Sequence, residues 1–401
     1  MKLTRRNALS ATAIGVFMAA NPVNALTSSR DAVLFAGCPP KSSSGGWRRP
    51  TDWPALPTLA TTDEKFVGLY AVYNDSSNFI ALTAQGAFTV NWGDGSAPVN
   101  YSSGATALYN YSYSASGLGP LTSEGYKTAI VTVTPQGGSP LTSFSLQVKH
   151  TQSGLKSYVP PWLDISLNGA NLTSFSVGGS TITVGLLQRV TIGTVGSITN
   201  FTSMFEYCYS LQSVPLFNTA AGTNFTYMFF ACFSLQSVPL FNTAAGTNFT
   251  YMFQNCYSLQ SVPLFNTAAG TNFTYMFFAC YSLQSVPLFN TAAGTSFTSM
   301  FEYCYSLQSV PLFNTAAGTS FTNMFQYCYS LGLGTLSGTK YSISYDSCKL
   351  GSAELIAILN ALGTAAGAQT VTITNNWGDD GDAPLVTAIA GAVSKGWTVA
   401  S

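Results

Sequence analysis

Leu235 to Cys256 reads LQSVPLFNTAAGTNFTYMFQNC, and this block returns with few changes every 24 residues from Asn200 to about Leu333. Met-Phe pairs begin at Met204, Met228, Met252, Met276, Met300 and Met324. A cysteine follows each Met by four residues, at Cys208, Cys232, Cys256, Cys280, Cys304 and Cys328. A fixed period of this length predicts a solenoid, whose units bury their apolar faces only against one another.

Within one block, Leu235, Val238 and Leu240 keep an L-x-x-V-x-L spacing, which predicts a short strand with Val238 and Leu240 on one face. Asn242 to Gly246 predicts a turn in which Gly246 supplies a positive φ. Phe249, Met252, Phe253 and Cys256 then fall at helical offsets, with Thr247 or Asn248 placed to cap. The expected coil is therefore strand, turn, short helix and return, with strands of successive coils in parallel at roughly 4.8 Å. Pro239 and its equivalents Pro215, Pro263, Pro287 and Pro311 remove a ladder donor, so about three paired residues per strand are expected.

Charge follows the same logic. Between Glu206 and Lys340 the only charged side chain is Glu302. Identical residues in stacked coils lie one strand spacing apart, where like charges repel. Six of the eight cysteines occupy one position of the repeat. Parallel Cβ vectors disfavour bridges between them, so a ladder of buried free thiols is expected. None of the C-x₂₋₄-C spacing of a zinc site is present, and no motif calls for a cofactor.

The 24-residue spacing and the MF…C…SL signature resemble BspA-type leucine-rich repeats of bacterial and phage surface proteins, over roughly 154–349. One departure is Asn242, which stands seven residues after the first Leu where the common leucine-rich consensus has eight. The resemblance implies a surface-exposed, non-enzymatic repeat protein.

Upstream, Lys2, Arg5 and Arg6, the apolar run Ala8 to Ala20, and Val23-Asn24-Ala25 predict an export signal over 1–25. Thr4 to Leu9 resembles a twin-arginine motif, with Ala8 where Phe is typical. Leu34 to Cys38 resembles a lipobox, but Arg30 and Asp31 separate it from the apolar run and Phe35 is unusual there, so Cys38 reads as a lone cysteine in a tether, with lipidation the alternative. Residues 26–60 read as a linker or docking arm, with Trp47 and Trp53 marking a part that packs.

From 61 to 152 the apolar period drops to two, with strands expected at 65–73, 78–83, 87–92, 107–113, 127–134 and 143–149. The sequence Val90-Asn91-Trp92-Gly93-Asp94-Gly95, Tyr109-x-Tyr111 and Gly125-Tyr126 resembles a PKD domain, with Tyr109 in the place of the usual His. That family implies an immunoglobulin-like sandwich acting as spacer or binding module. Residues 153–199 carry degenerate repeat strands, Leu172-x-x-Phe175-x-Val177 and Leu187-x-x-Val190-x-Ile192, and are expected to cap the solenoid, which runs over 200–349. Residues 350–401 predict an α/β C-terminal cap: a helix from Ser352 closed by Gly363, a strand at 370–374, a helix at 384–394 and a strand at 397–399. The fold class is thus mixed β and α/β, an immunoglobulin-like sandwich followed by a leucine-rich-repeat solenoid.

Chemistry finds few residues to use. The single histidine, His150, ends a predicted strand without a G-x-S-x-G partner motif, and its reading is structural. Glu206 and Glu302 are four repeats apart, too far for a glycosidase pair. Asp379, Asp380 and Asp382 lack the spacing of a calcium loop and read as a turn, as does Asp94. The zero formal net charge gives no reason to expect nucleic acid, and no apolar run reaches the length of a membrane span.

The repeats vary before each Met and after each MF. There Tyr227, Phe230, Tyr251, Tyr275, Phe278, Tyr303 and Tyr327 are expected to face outward and meet a partner, a surface protein or glycan of another cell; a merely solvated face is the alternative. The expected function is adhesion or recognition at the cell surface after export, with homo-oligomerisation left open. The alternatives are a phage virion or tail-fibre protein, and an accessory module of a polysaccharide-degrading system.

Overall fold

The computed structural model describes residues 47–75, 78–153, 159–179, 182–378 and 382–401. The export signal, Cys38, Asp379 and Asp380 lie outside the described residues.

The alternating apolar residues after Thr61 form two sheets. Strands β1 (Lys65–Val72), β3 (Phe88–Asn91), β4 (Val99–Tyr101), β6 (Lys127–Pro135), β8 (Trp162–Gly169) and β10 (Arg189–Val195) make one, in the order β10-β8-β1-β6-β3-β4. Strands β2 (Phe79–Gln85), β5 (Thr106–Asn110), β7 (Ser143–Ser145) and β9 (Ser174–Ser176) make the other, in the order β5-β2-β7-β9. Phe66, Tyr70, Trp92, Phe144 and Trp162 fill the space between them. Strand β8 pairs antiparallel with β1, and β10 then pairs parallel with β8. Strands β8 and β10 thus extend the first sheet, and one apolar core runs from the two sheets into the stacked coils. Trp47 and Trp53 belong to the arm's packing on that sheet: Trp53 is buried with Leu69, Tyr126 and Leu163, and Arg49 pairs with the buried Asp164.

The repeats stack as a solenoid, but the coil is not strand plus helix. Phe225, Tyr227, Phe229 and Ala231 donate their backbone N–H groups to carbonyls of Asn248, Thr250, Met252 and Gln254 on the next coil, at 2.8–3.1 Å. Met228, Phe230 and Cys232, between them, donate three residues back within their own coil. An α-helix would bond every N–H four residues back along one segment. Here every second donor is drawn to the neighbouring coil, and overlapping turns result. Residues such as Tyr227 and Ala231 consequently take φ near +57° and +58°, in the left-handed region.

Four further expectations are corrected. The Val-Pro-Leu-Phe segments carry no strand ladder; coils meet there through isolated bridges such as Ser285 to Ser309, because proline supplies no donor. Leu240 points outward at 58% exposure while Val238 and Phe241 are buried. Gly246 does not have a positive φ. Its small size is what matters, since a Cβ there would lie 2.7 Å from the Phe249 ring and 3.0 Å from Phe225. Neither does Asn248 cap a helix: its Oδ1 accepts from Thr250 N at 3.0 Å, an Asx turn.

Side chains at equivalent positions stack in columns. Phe201, Phe225, Phe249, Phe273, Phe297 and Phe321 lie 5.2–5.6 Å apart with planes within 9°. That spacing lies within the range favoured for offset aromatic pairs. A buried threonine column joins the coils through its hydroxyls, as from Thr243 Oγ1 to Asn266 O at 2.8 Å. Each cysteine of the column is buried and unbridged, and from Cys232 onward its Sγ–H donates to a Phe carbonyl of the preceding coil. Burial pushes these thiols well up. Cys348 extends the column past the strict repeat, donating to Phe325 O at 2.9 Å, and Tyr345 stacks on Phe325 beside it.

The last coil is followed by β11 (Ile343–Ser344), α1 (Ser352–Ala361), β12 (Gln369–Thr372), α2 (Ala383–Ser394) and β13 (Trp397–Ala400). Strands β11, β12 and β13 form a parallel sheet, and Ile343 bridges to Phe321 of the repeats. Gly351, not Ser352, is the N-cap of α1; the Ser352 hydroxyl donates instead to Asp382, which caps α2 by accepting from Leu385 N at 2.8 Å. Among the described residues no helix is long and apolar enough to cross a membrane.

Candidate functional site

The variable aromatic positions gain their direction from the turns. Tyr227, Tyr251 and Tyr275 occupy left-handed positions, and so do Tyr303 and Tyr327. At such a residue the side chain leaves the coil away from the Phe/Met/Cys interior, and all these rings are half-buried rather than free in solvent.

The structure brings all seven expected contact residues into one connected run. Tyr227, Tyr251 and Tyr275 stack at 4.6 and 5.0 Å, and Tyr303 stacks on Tyr327 at 4.9 Å. Phe230 meets Tyr227 edge-on, and Phe278 joins Tyr275 to Tyr303 in the same way, at 5.3–5.4 Å. A second column runs beside it: Tyr209, Phe233, Tyr257, Tyr281, Tyr305 and Tyr329, at 4.5–5.2 Å. Tyr303 and Tyr305 connect the two at 6.1 Å. Burial holds the Tyr209 and Tyr281 hydroxyls up at about 12.

Stacking consumes the ring faces. In the second column each inner ring has another above and below it, and in the first run Tyr251 does, so these positions present ring edges and hydroxyls. The column ends differently at its C-terminal side. Lys349 Nζ lies 5.1 Å from the Tyr329 ring centroid and 5.8 Å from that of Trp377, which is 74% exposed. Sequence reasoning passed over both residues, since Trp377 sits in a stretch read as a turn.

Acidic groups touch the same face. Glu206 and Glu302 are buried to 6% and 7% exposure at the position that Phe230 and Phe278 fill elsewhere. Burial raises both carboxyls above their ordinary value, partly offset by Ser203 for the first and by Ser299 and Asn323 for the second. Gln254 and Asn255 hold the matching positions of the middle coil, and Gln254 Oε1 and Asn255 Oδ1 are buried without a hydrogen-bond partner.

The other residues weighed for chemistry are occupied structurally. His150 accepts from Gln152 N at 3.1 Å and packs on Phe79 at 5.0 Å; burial lowers its basicity. Asp94 accepts from Ser96 N at 3.0 Å and from the Tyr109 hydroxyl at 2.6 Å. Burial opposes its ionisation, yet these hydrogen bonds leave its carboxyl below the usual value. Tyr109, in the place of the expected histidine, also stacks on Trp92 at 4.8 Å. Asp382 is the cap of α2. Among the described residues no cluster of three or more metal-ligating side chains forms.

Comparison with known families gives one result, on the stacked region. A family model described as "Mycoplasma protein of unknown function, DUF285" matches residues 184–286 and again 241–335. This match and the stacked coils fit a repeat surface protein. No curated protein matches the chain.

Two measurements follow from the carboxyls and the orphan amides. A raised folded-state value means that the protonated acid favours the fold. Its contribution is full below the ordinary value of 4.5 and is lost as pH rises through the raised one. The gain in melting temperature of Glu206→Gln/Glu302→Gln over the parent should therefore be largest near neutrality and vanish near pH 4; a gain that grows on acidification would contradict the role of burial. Gln254→Phe/Asn255→Ala copies the neighbouring coils and removes two unpaired oxygens. Denaturant titration should show about 1–3 kcal/mol of added stability, and a loss would contradict the assignment.

Proposed function

We propose that this chain is a non-enzymatic, exported surface protein of BspA-like type that recognises a protein on another surface through the aromatic side of its solenoid. The sandwich of β1 to β7 is a PKD-like, immunoglobulin-like spacer in this reading, and residues 343–401 are an α/β cap that closes the last coil. The observation that carries the reading is the connected run from Tyr227 to Tyr327, continuous over five coils and backed by a second column. Tyrosine is favoured at interfaces because one ring contributes apolar area and a polar tip at little entropic cost.

The ring geometry favours one of the two partner classes. Sugar recognition by aromatics uses an open ring face, and Tyr251 in the run and Phe233, Tyr257, Tyr281 and Tyr305 in the second column have a ring stacked on each side. A protein surface, whose own side chains can meet edges and hydroxyls, fits better than a glycan.

Binding of the full chain to intact cells and to a glycan array tests this. Cell binding that falls at least tenfold in Tyr227→Ser/Tyr251→Ser/Tyr275→Ser, is abolished by protease treatment of the target cells, and leaves the array blank is the expected result. Array binding that survives the substitutions, or turnover of any glycan, would overturn it.

A further inference from the structure

The opposite kind of surface lies along the Leu-Phe-Asn-Thr-Ala segments. In each coil Leu240, Asn242 and Ala244, or their equivalents, point outward while Phe241 and Thr243 between them are buried. The outward leucines Leu216, Leu240, Leu264, Leu288 and Leu312 are 57–62% exposed, and Leu333 continues them at 50%. Isolated exposed leucines need no explanation, but a contiguous row of one residue does. Charged residues on a surface oppose its association with copies of itself. This strip has none, because the only acids of the repeats, Glu206 and Glu302, are buried beside the aromatic columns.

Part of the strip's polar capacity is used internally. The Oδ1 atoms of Asn218, Asn242, Asn266, Asn290 and Asn314 each accept from the alanine N–H two residues on, at 3.1–3.2 Å. The buried threonines between them donate to carbonyls of the next coil. Covering the strip therefore strands none of these oxygens, which lowers the cost of drying it, and leaves the Asn side-chain N–H groups to be paired across the contact.

We infer that this strip is an interface with a second copy of the same chain. A row of identical leucines at a constant coil spacing offers full contact only to a partner with the same period, and another solenoid of this sequence has it. Two such rows, laid antiparallel about a two-fold axis, place each leucine between leucines of the other copy, so that the contact is self-complementary. Five coils at ~4.8 Å give a length of roughly 24 Å. The width from Leu240 to Ala244 is at most about 13 Å. The product, on the order of 300 Å², is well under the ~800 Å² per partner of a standard stable complex. The association is thus weak in dilute solution and takes effect where copies are held side by side, as linked binding events do at high effective concentration. This inference does not depend on what the aromatic side recognises.

Sedimentation velocity of the full chain, from micromolar to near-millimolar concentration, tests it. The parent should pass reversibly from monomer to dimer. Leu240→Ser/Leu264→Ser/Leu288→Ser should dissociate at least tenfold more readily with an unchanged circular dichroism spectrum, whereas Tyr251→Ser/Tyr275→Ser should associate like the parent. Ala244→Glu/Ala268→Glu, on the same strip, provides a second disruption that removes no leucine. A parent that stays monomeric throughout, or a dimer indifferent to both strip variants, would overturn the inference.

Discussion

Everything in the repeat region depends on one constraint, the register between coils. Each coil gives every second backbone N–H of its aromatic segment to the coil that follows, and the alternate ones close turns within it. A single coil therefore leaves half of these donors unpaired, and its Phe, Met and Cys side chains have no core of their own. Once register is set, equivalent atoms lie over one another, and the composition follows. Phenylalanines stack, cysteines sit as small apolar groups under a carbonyl, and glycine is kept where a methyl group would strike two rings. Charge is excluded because any repeated charge would meet its own copy.

Much of this was legible in the residues. The period announced a solenoid, and the expected inward set of Phe, Met and Cys is the buried set. What misled was the spacing of Phe249, Met252, Phe253 and Cys256. Offsets of three, four and seven suit a helix, but they also suit overlapping three-residue turns whose odd members bond sideways. Local pattern cannot distinguish the two, since the difference lies in where the N–H groups go. One trace was present: the positions before Met and three residues after it vary among Ser, Tyr, Asn and Ala, and these are the left-handed positions. Leu240 was misplaced by a leucine-rich template, although Phe241 beside it was the larger apolar group.

The aromatic face was legible as a set of residues but not as a surface. The seven aromatics named from sequence do meet, yet they lie half-buried, the tyrosines face to face in two groups and Phe230 and Phe278 edge-on, because successive coils bring their rings within 5 Å or so of one another. Lys349 and Trp377 were missed because the strict repeat ends before them. Each coil thus serves two different surfaces, an aromatic side rich in phenol edges and a leucine side free of charge. A repeat this uniform makes such segregation automatic, since whatever one coil exposes, its neighbours expose in line.

Removing one whole period tests the register most directly. Deleting the 24 residues from Phe241 to Leu264 joins Leu240 to Phe265 and keeps every column aligned, so the shortened chain should unfold in one cooperative thermal transition at a modestly lower temperature. Deleting only Phe241 to Gln260 shifts every later side chain off its column, and that chain should show no such transition. If the two deletions behaved alike, register would not be what holds the coils together.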